Sequence, residues 1–171
     1  QFINIQSQGN SIIFGDSITG DGIEGFAVGS STRGLFSGGY PSIGNVIEFI
    51  TFATTSNGTD FGDMSVARRE TASAANTTRG VIAGGTGPLT DLVEYVVMSS
   101  QGGANDFGNL SSTRRAFSGS GNDTRGLFFG GNNPTRTSII EFINFSTTGN
   151  VNEFGRLGVD AVDGLSSSDG G

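Results

Sequence analysis

Arginine and glutamate recur in this chain at fixed intervals, and any chemistry would have to be built largely from them. The 171-residue sequence has no cysteine and no histidine, and its nine basic residues are all arginine. A thiol or His-activated nucleophile, a His- or Cys-ligated metal, a Schiff-base lysine and the lysine of a phosphate-binding loop are therefore excluded. What survives is chemistry on carboxylates alone, either a metal held by Asp and Glu or an acid–base carboxylate pair. Aspartates stand near one another at Asp16 and Asp21 and at Asp160 and Asp163, but without EF-hand spacing. The net charge of -7 argues against nucleic acid as the main partner, because phosphate binding needs a basic footprint. No apolar run approaches the roughly 18 residues of a membrane-spanning helix.

The charged residues belong to a repeat. Thr32-Arg33-Gly34-Leu35-Phe36-Ser37-Gly38-Gly39 returns as Thr78-Arg79-Gly80-Val81-Ile82-Ala83-Gly84-Gly85 and as Thr124-Arg125-Gly126-Leu127-Phe128-Phe129-Gly130-Gly131, at intervals of 46 residues. A second block follows each: Ile47-Glu48-Phe49-Ile50, Val93-Glu94-Tyr95-Val96 and Ile140-Glu141-Phe142-Ile143. A third block is Asp60-Phe61-Gly62, Asp106-Phe107-Gly108 and Glu153-Phe154-Gly155, and the pairs Arg68-Arg69 and Arg114-Arg115 keep the same interval. Gln1-Phe2-Ile3 matches the second block and Phe14-Gly15 the third. The chain therefore reads as a single repeat domain, with a partial unit at 1–22, full units at 23–69, 70–115 and 116–161, and the start of another at 162–171. Residues 1–15 also match 141–155, at Phe2/Phe142, Ile3/Ile143, Gly9/Gly149, Asn10/Asn150 and Phe14/Phe154 among others. This pattern reads as a fragment of a longer polypeptide; the alternative is a closed ring in which 162–168 joins 1–7 and 13–18.

No apolar stripe of helical period runs through the chain. Gly, Ser, Thr and Asn make up nearly half of it, interrupted by 14 Phe and many β-branched residues. That mixture predicts short strands and tight turns. The second full unit should hold strands near 70–76, 78–84, 91–99 and 106–112. The fold class is all-β, and four strands repeating every 46 residues or so predict a β-propeller blade. The small-residue first strand suits a crowded centre. Phe61, Phe107 and Phe154, with Phe49, Tyr95 and Phe142, suit the spaces between sheets.

Residues present in every unit should serve the scaffold, and those that vary are free to bind. Arg33, Arg79 and Arg125, with Glu48, Glu94 and Glu141, fall in the first class. They predict an Arg–Glu contact or a hydrogen bond to a neighbouring blade's backbone; an arginine ring for an anionic ligand is the alternative. Arg68-Arg69 and Arg114-Arg115 read as turn anchors, and the Gly-Gly pairs as turns with positive φ. The loops after Gly-Gly vary and hold all three prolines, one per loop. From these loops Tyr40, Asn132, Asn133 and Arg136 are the candidate contacts for a glycan or protein.

An arginine before a small-residue strand, an apolar strand ending in Gly-Gly, an alternating strand and an aromatic opening the fourth together resemble a kelch repeat. The resemblance covers nearly the whole chain, although Phe107 and its equivalents stand where kelch repeats carry Trp. It implies a kelch-like β-propeller. Kelch repeats also occur in copper-radical oxidases, whose His and Cys ligands this chain lacks. The wording T-R-G-x-x-x-G-G, I/V-E-F/Y-I/V and D-F-G is similar to repeats in structural proteins of marine tailed phages such as cyanophages. That resemblance implies a non-enzymatic component of a virion appendage such as a tail fibre, located on the virion or outside the cell and needing no cofactor. Its partners would be other virion proteins or a host-surface glycan or protein, with homo-oligomers allowed and no membrane insertion. The alternative is a kelch-like binding module of a bacterial cell-surface or secreted protein.

Overall fold

The computed structural model describes residues 1–4, 6–20, 24–37, 39–41 and 43–164. Its strands form three four-stranded antiparallel sheets, each a meander in chain order. The first holds β1 (Ala27–Gly29), β2 (Arg33–Phe36), β3 (Val46–Thr51) and β4 (Thr59–Asp63). The second holds β5 (Ala72–Ala75), β6 (Arg79–Ala83), β7 (Leu92–Val97) and β8 (Asn105–Asn109). The third holds β9 (Ser118–Gly121), β10 (Arg125–Phe129), β11 (Thr137–Asn144) and β12 (Asn152–Ala161). The all-β expectation stands; the first three strands expected in the second unit each contain an observed one, and the fourth, expected at 106–112, overlaps β8, which begins a residue earlier and ends at Asn109. The four short strands follow from period-2 patterning broken by Gly- and Asn-rich turns.

Stacking supplies the core. Along β7 the side chains alternate, so Val93 and Tyr95 face one way while Val96 faces the other with Met98 beyond the strand end. One cluster joins Leu35, Ile47 and Phe61 of the first sheet to Ile82, Val96 and Met98. The other joins Val81, Val93 and Phe107 of the second to Phe128, Ile143 and Phe145 of the third. Both faces of the second sheet are thus buried, and each fully covered large apolar side chain contributes roughly 1.5–3 kcal/mol. The small-residue strand β5 touches both β1 and β9. A groove of about 430 Å³ runs beside these three strands, lined by residues such as Ala27, Ser73, Ala75 and Gly121.

Backbone hydrogen bonds tie each sheet to the one before it. The turn after β7 donates from Gly102 N to Phe61 O at 2.8 Å, and the turn after β11 from Gly149 N to Phe107 O at 2.7 Å. Gly62 and Gly108 lie beneath these turns. A Cβ on either would come within 2.3 Å of the carbonyl oxygen of Gly102 or Gly149, so only glycine fits.

The partial unit differs from expectation. Among the described residues of 1–7 and 13–18 no strand forms; an isolated bridge joins Phe2 to Ile12. A two-stranded ribbon without the rest of its sheet is marginal in water, which accounts for the loss. Of the strand expected at 162–168, residues 162–164 carry none and 165–168 lie outside the described residues.

Candidate functional site

Two of the repeated arginines, Arg33 and Arg79, bind across sheets rather than to the repeated glutamates. Arg33 donates from Nη1 to the carbonyls of Met98 and Ser99 at 3.4 and 3.3 Å, in the turn of the second sheet. Arg79 donates likewise to Phe145 O in the third. Each guanidinium also lies over the aromatic ring of its own sheet: Arg33 over Phe49 at 5.0 Å, Arg79 over Tyr95 at 4.5 Å and Arg125 over Phe142 at 4.8 Å. Of the two scaffold roles expected for these arginines, Arg33 and Arg79 take the backbone hydrogen bond.

Glu94 and Glu141 instead meet the first arginine of each Arg-Arg pair. Arg68 Nη2 lies 2.7 Å from Glu94 Oε2, and Arg114 is bound to Glu141; all four side chains are buried. Arg114 also donates to Gly130 O at 3.2 Å, fastening the Gly-Gly turn. Each glutamate further accepts a backbone bond, Glu94 from Ser65 N and Glu141 from Ser111 N, both at 3.1 Å. Burial draws both guanidinium pKa values down and the adjacent carboxylate pushes each back up. Arginine starts high enough to stay charged.

Glu48 is held without an arginine. Its carboxylate accepts from the Ser17 hydroxyl at 2.7 Å, the Thr19 hydroxyl at 2.5 Å, and the amides of Ile18 and Thr19 at 2.8 and 3.1 Å. Burial would push this carboxyl up, but the bonds from Thr19, Ser17 and Ile18 outweigh it and hold its pKa below the ordinary value. The residue 46 positions before Arg68 is Gly22, so the sequence offers no arginine there.

The loops after Gly-Gly meet the Arg-Arg turns on one face. Arg69 bridges to Thr86, and Arg115 to Asn132, by backbone pairing. Glu24, Glu70, Ala116 and Asp163 each take a left-handed conformation, with φ of 65, 54, 54 and 52°. They are linked in series: Glu70 N donates to Glu24 O at 2.7 Å, Ala116 N to Glu70 O at 3.0 Å, and Asp163 N to Ala116 O at 2.9 Å. Above this relay lies a depression of about 270 Å³ lined by Glu24, Glu70, Arg115, Asn132, Arg136 and Asp163. Arg115 pairs with Glu70 at 2.5 Å, and Arg69 pairs with Glu24. The half-exposed Tyr40 ring lies beside this network, 5.2 Å from the Arg69 guanidinium.

Of the four candidate contacts, Asn132 and Arg136 line this depression, and Tyr40 reaches it through Arg69. Asn133 does not line it: its amide donates to Thr113 O at 2.9 Å and to the Thr113 hydroxyl, holding the loop. Sequence reasoning missed Glu24 and Glu70, although their 46-residue spacing was a signal for them. Of the aspartates, Asp163 lines the depression and Asp21 lies outside the described residues; among the described ones no three carboxylates stand close enough together to hold a metal ion. The face offers guanidinium donors, carboxylate acceptors and an aromatic edge, a set suited to a polyhydroxylated or zwitterionic surface. No protein-family model matches the chain, and no curated protein matches it.

Proposed function

We propose that the chain is a non-enzymatic interaction module, a segment of a kelch-like β-propeller in a phage virion appendage, used for assembly or for attachment to the host surface. The observation that carries the propeller reading is the relay of backbone bonds from Glu24 through Glu70 and Ala116 to Asp163, at the base of first strands that touch one another. Such a relay is what copies of one sheet arranged about a common axis would make. The attachment reading draws on the adjoining depression, where Arg136, Asn132, Glu24 and Asp163 supply donors and acceptors for hydroxyl or amide groups. The virion reading draws on the wording of the repeat.

Mass spectrometry of purified virions and a glycan array test it in parallel. The expectation is that the chain is a virion component and binds a surface glycan, with binding lost in Tyr40→Ala combined with Arg136→Ala. Binding without a virion source would favour the bacterial surface module. No binding, and no loss of attachment in the double variant, would remove the attachment role.

A further inference from the structure

The loop face carries a guanidinium that the scaffold does not use. In the first two steps of the backbone relay, the residue before each left-handed member is an arginine that pairs with the glutamate of the member behind it. Arg69, before Glu70, meets Glu24, and Arg115, before Ala116, meets Glu70. At the third step neither half is charged: Val162 stands before Asp163, and the member behind it is Ala116. A different arginine enters the depression there. The third loop is one residue longer than the second, since Thr90 N closes onto Gly85 O and Thr137 N onto Gly131 O. The residue before the closing threonine is Arg136, where the second loop has Leu89.

Arg136 lines the depression, yet its side chain forms no ion pair or hydrogen bond among the described residues. Asn132, which pairs with Arg136 across an isolated bridge, keeps its side-chain amide unbonded among them too. The flank of the loop belongs to the described chain, for Thr137 pairs with Ala161 of β12. Asp163, two residues beyond, lines the same depression without an ion pair to Arg136 or to any other described arginine. A guanidinium keeps its charge, and its planar fork matches the two oxygens of a carboxylate. A carboxylate such as that of Asp163 is an acceptor for neighbouring hydroxyls. The depression's volume of about 270 Å³ lies just below the roughly 300–1,000 Å³ of pockets for drug-sized ligands, which is room for one sugar ring.

We propose that the depression takes an acidic saccharide, with the carboxylate of one sugar ring held by the Arg136 guanidinium and the Asn132 amide, and its hydroxyls by the Asp163 carboxylate. This rests on the attachment reading and narrows it to a charge class. The net charge of -7 repels an anion at long range, so a preference for one has to arise at this contact.

Biolayer interferometry with the full chain and two matched probe pairs tests it: polygalacturonate against its methyl ester, and sialyllactose against lactose. In at least one pair the acidic member should bind at least about tenfold more tightly, the worth of one hydrogen bond to a charged group. Arg136→Gln, which keeps a polar side chain without the charge, should abolish that preference. Because Arg136 is exposed, the variant should keep the wild-type circular dichroism. Arg156→Gln, on β12 and outside the lining of the depression, should leave the preference intact, which separates the site from general charge. No binding by either acidic member, or a preference that survives Arg136→Gln, would overturn the proposal. Equal binding within both pairs would overturn it as well while leaving the attachment reading standing, since that reading falls only with the glycan array.

Discussion

The second and third sheets are built from the same repeat and differ in what covers them. Their aromatic pairs are superposable in kind: Tyr95 and Phe107 meet edge to face at 6.0 Å and 85°, Phe142 and Phe154 at 6.1 Å and 80°. Both sheets carry a register shift at the same place, between Val93 and Glu94 and between Ile140 and Glu141. Yet Val93 and Phe107 are buried while Phe154 is open to solvent. Ring geometry and bulge are therefore settled inside a sheet by cross-strand neighbours. Burial, and the stabilisation that comes with it, is settled between sheets.

The sharpest way to break the comparison is to truncate the same aromatic in both places. Phe107→Ala should destabilise the protein by about 4 kcal/mol, since it empties a closed core, whereas Phe154→Ala in dilute monomer should cost under about 0.5 kcal/mol. Urea unfolding of the two variants measures the difference, and equal losses would mean that the third sheet is covered after all.

Next in size are the buried charges. Arg114→Ala leaves Glu141 buried without its counter-charge and should cost about 3 kcal/mol in the same assay. Combining Arg114→Met with Glu141→Leu should recover most of that loss, to within about 1 kcal/mol of wild type, because both desolvated charges are then gone. After the third sheet the equivalent position, where the Gly-Gly turn receives its backbone bond, is Ala161, so no such pair follows it.

Acid sharpens the comparison with the first sheet, whose Glu48 has hydroxyls and amides for partners. Its folded pKa lies below the ordinary 4.5. Its stabilising contribution is therefore complete above that value and is lost as pH falls through the lower, folded one. Wild type should exceed Glu48→Gln by about 1–2 kcal/mol near neutrality. The gap should narrow as pH falls below that ordinary value in urea titrations. A gap that widened on acidification would contradict the hydrogen-bonded carboxylate.

Much of this was open to inspection in the residues. The three-block repeat, the strand positions in the second unit and the aromatic pairs follow from period-2 patterning and turn chemistry, which act over a few residues. The loops holding Tyr40, Asn132 and Arg136 were legible as the variable part of each unit. Glu24 and Glu70 were marked only by their 46-residue spacing; their left-handed backbone was not legible, because a positive φ at glutamate leaves no compositional mark.

What the chain's order alone determined is the unit: four antiparallel strands, with one arginine and one glutamate of each unit at fixed places. Which charges meet was decided by three-dimensional register. Arg79 lies opposite Val97, and Glu94 lies opposite Ile82. Three residues separate the two along the ladder, about 10 Å, and the odd offset puts them on opposite faces of the sheet. Arg79 is left facing Tyr95 and the third sheet, and Glu94 is met from the connecting turn by Arg68. Side-chain alternation is short-ranged and written in the repeat, but the neighbour across a face arrives only when whole sheets stack.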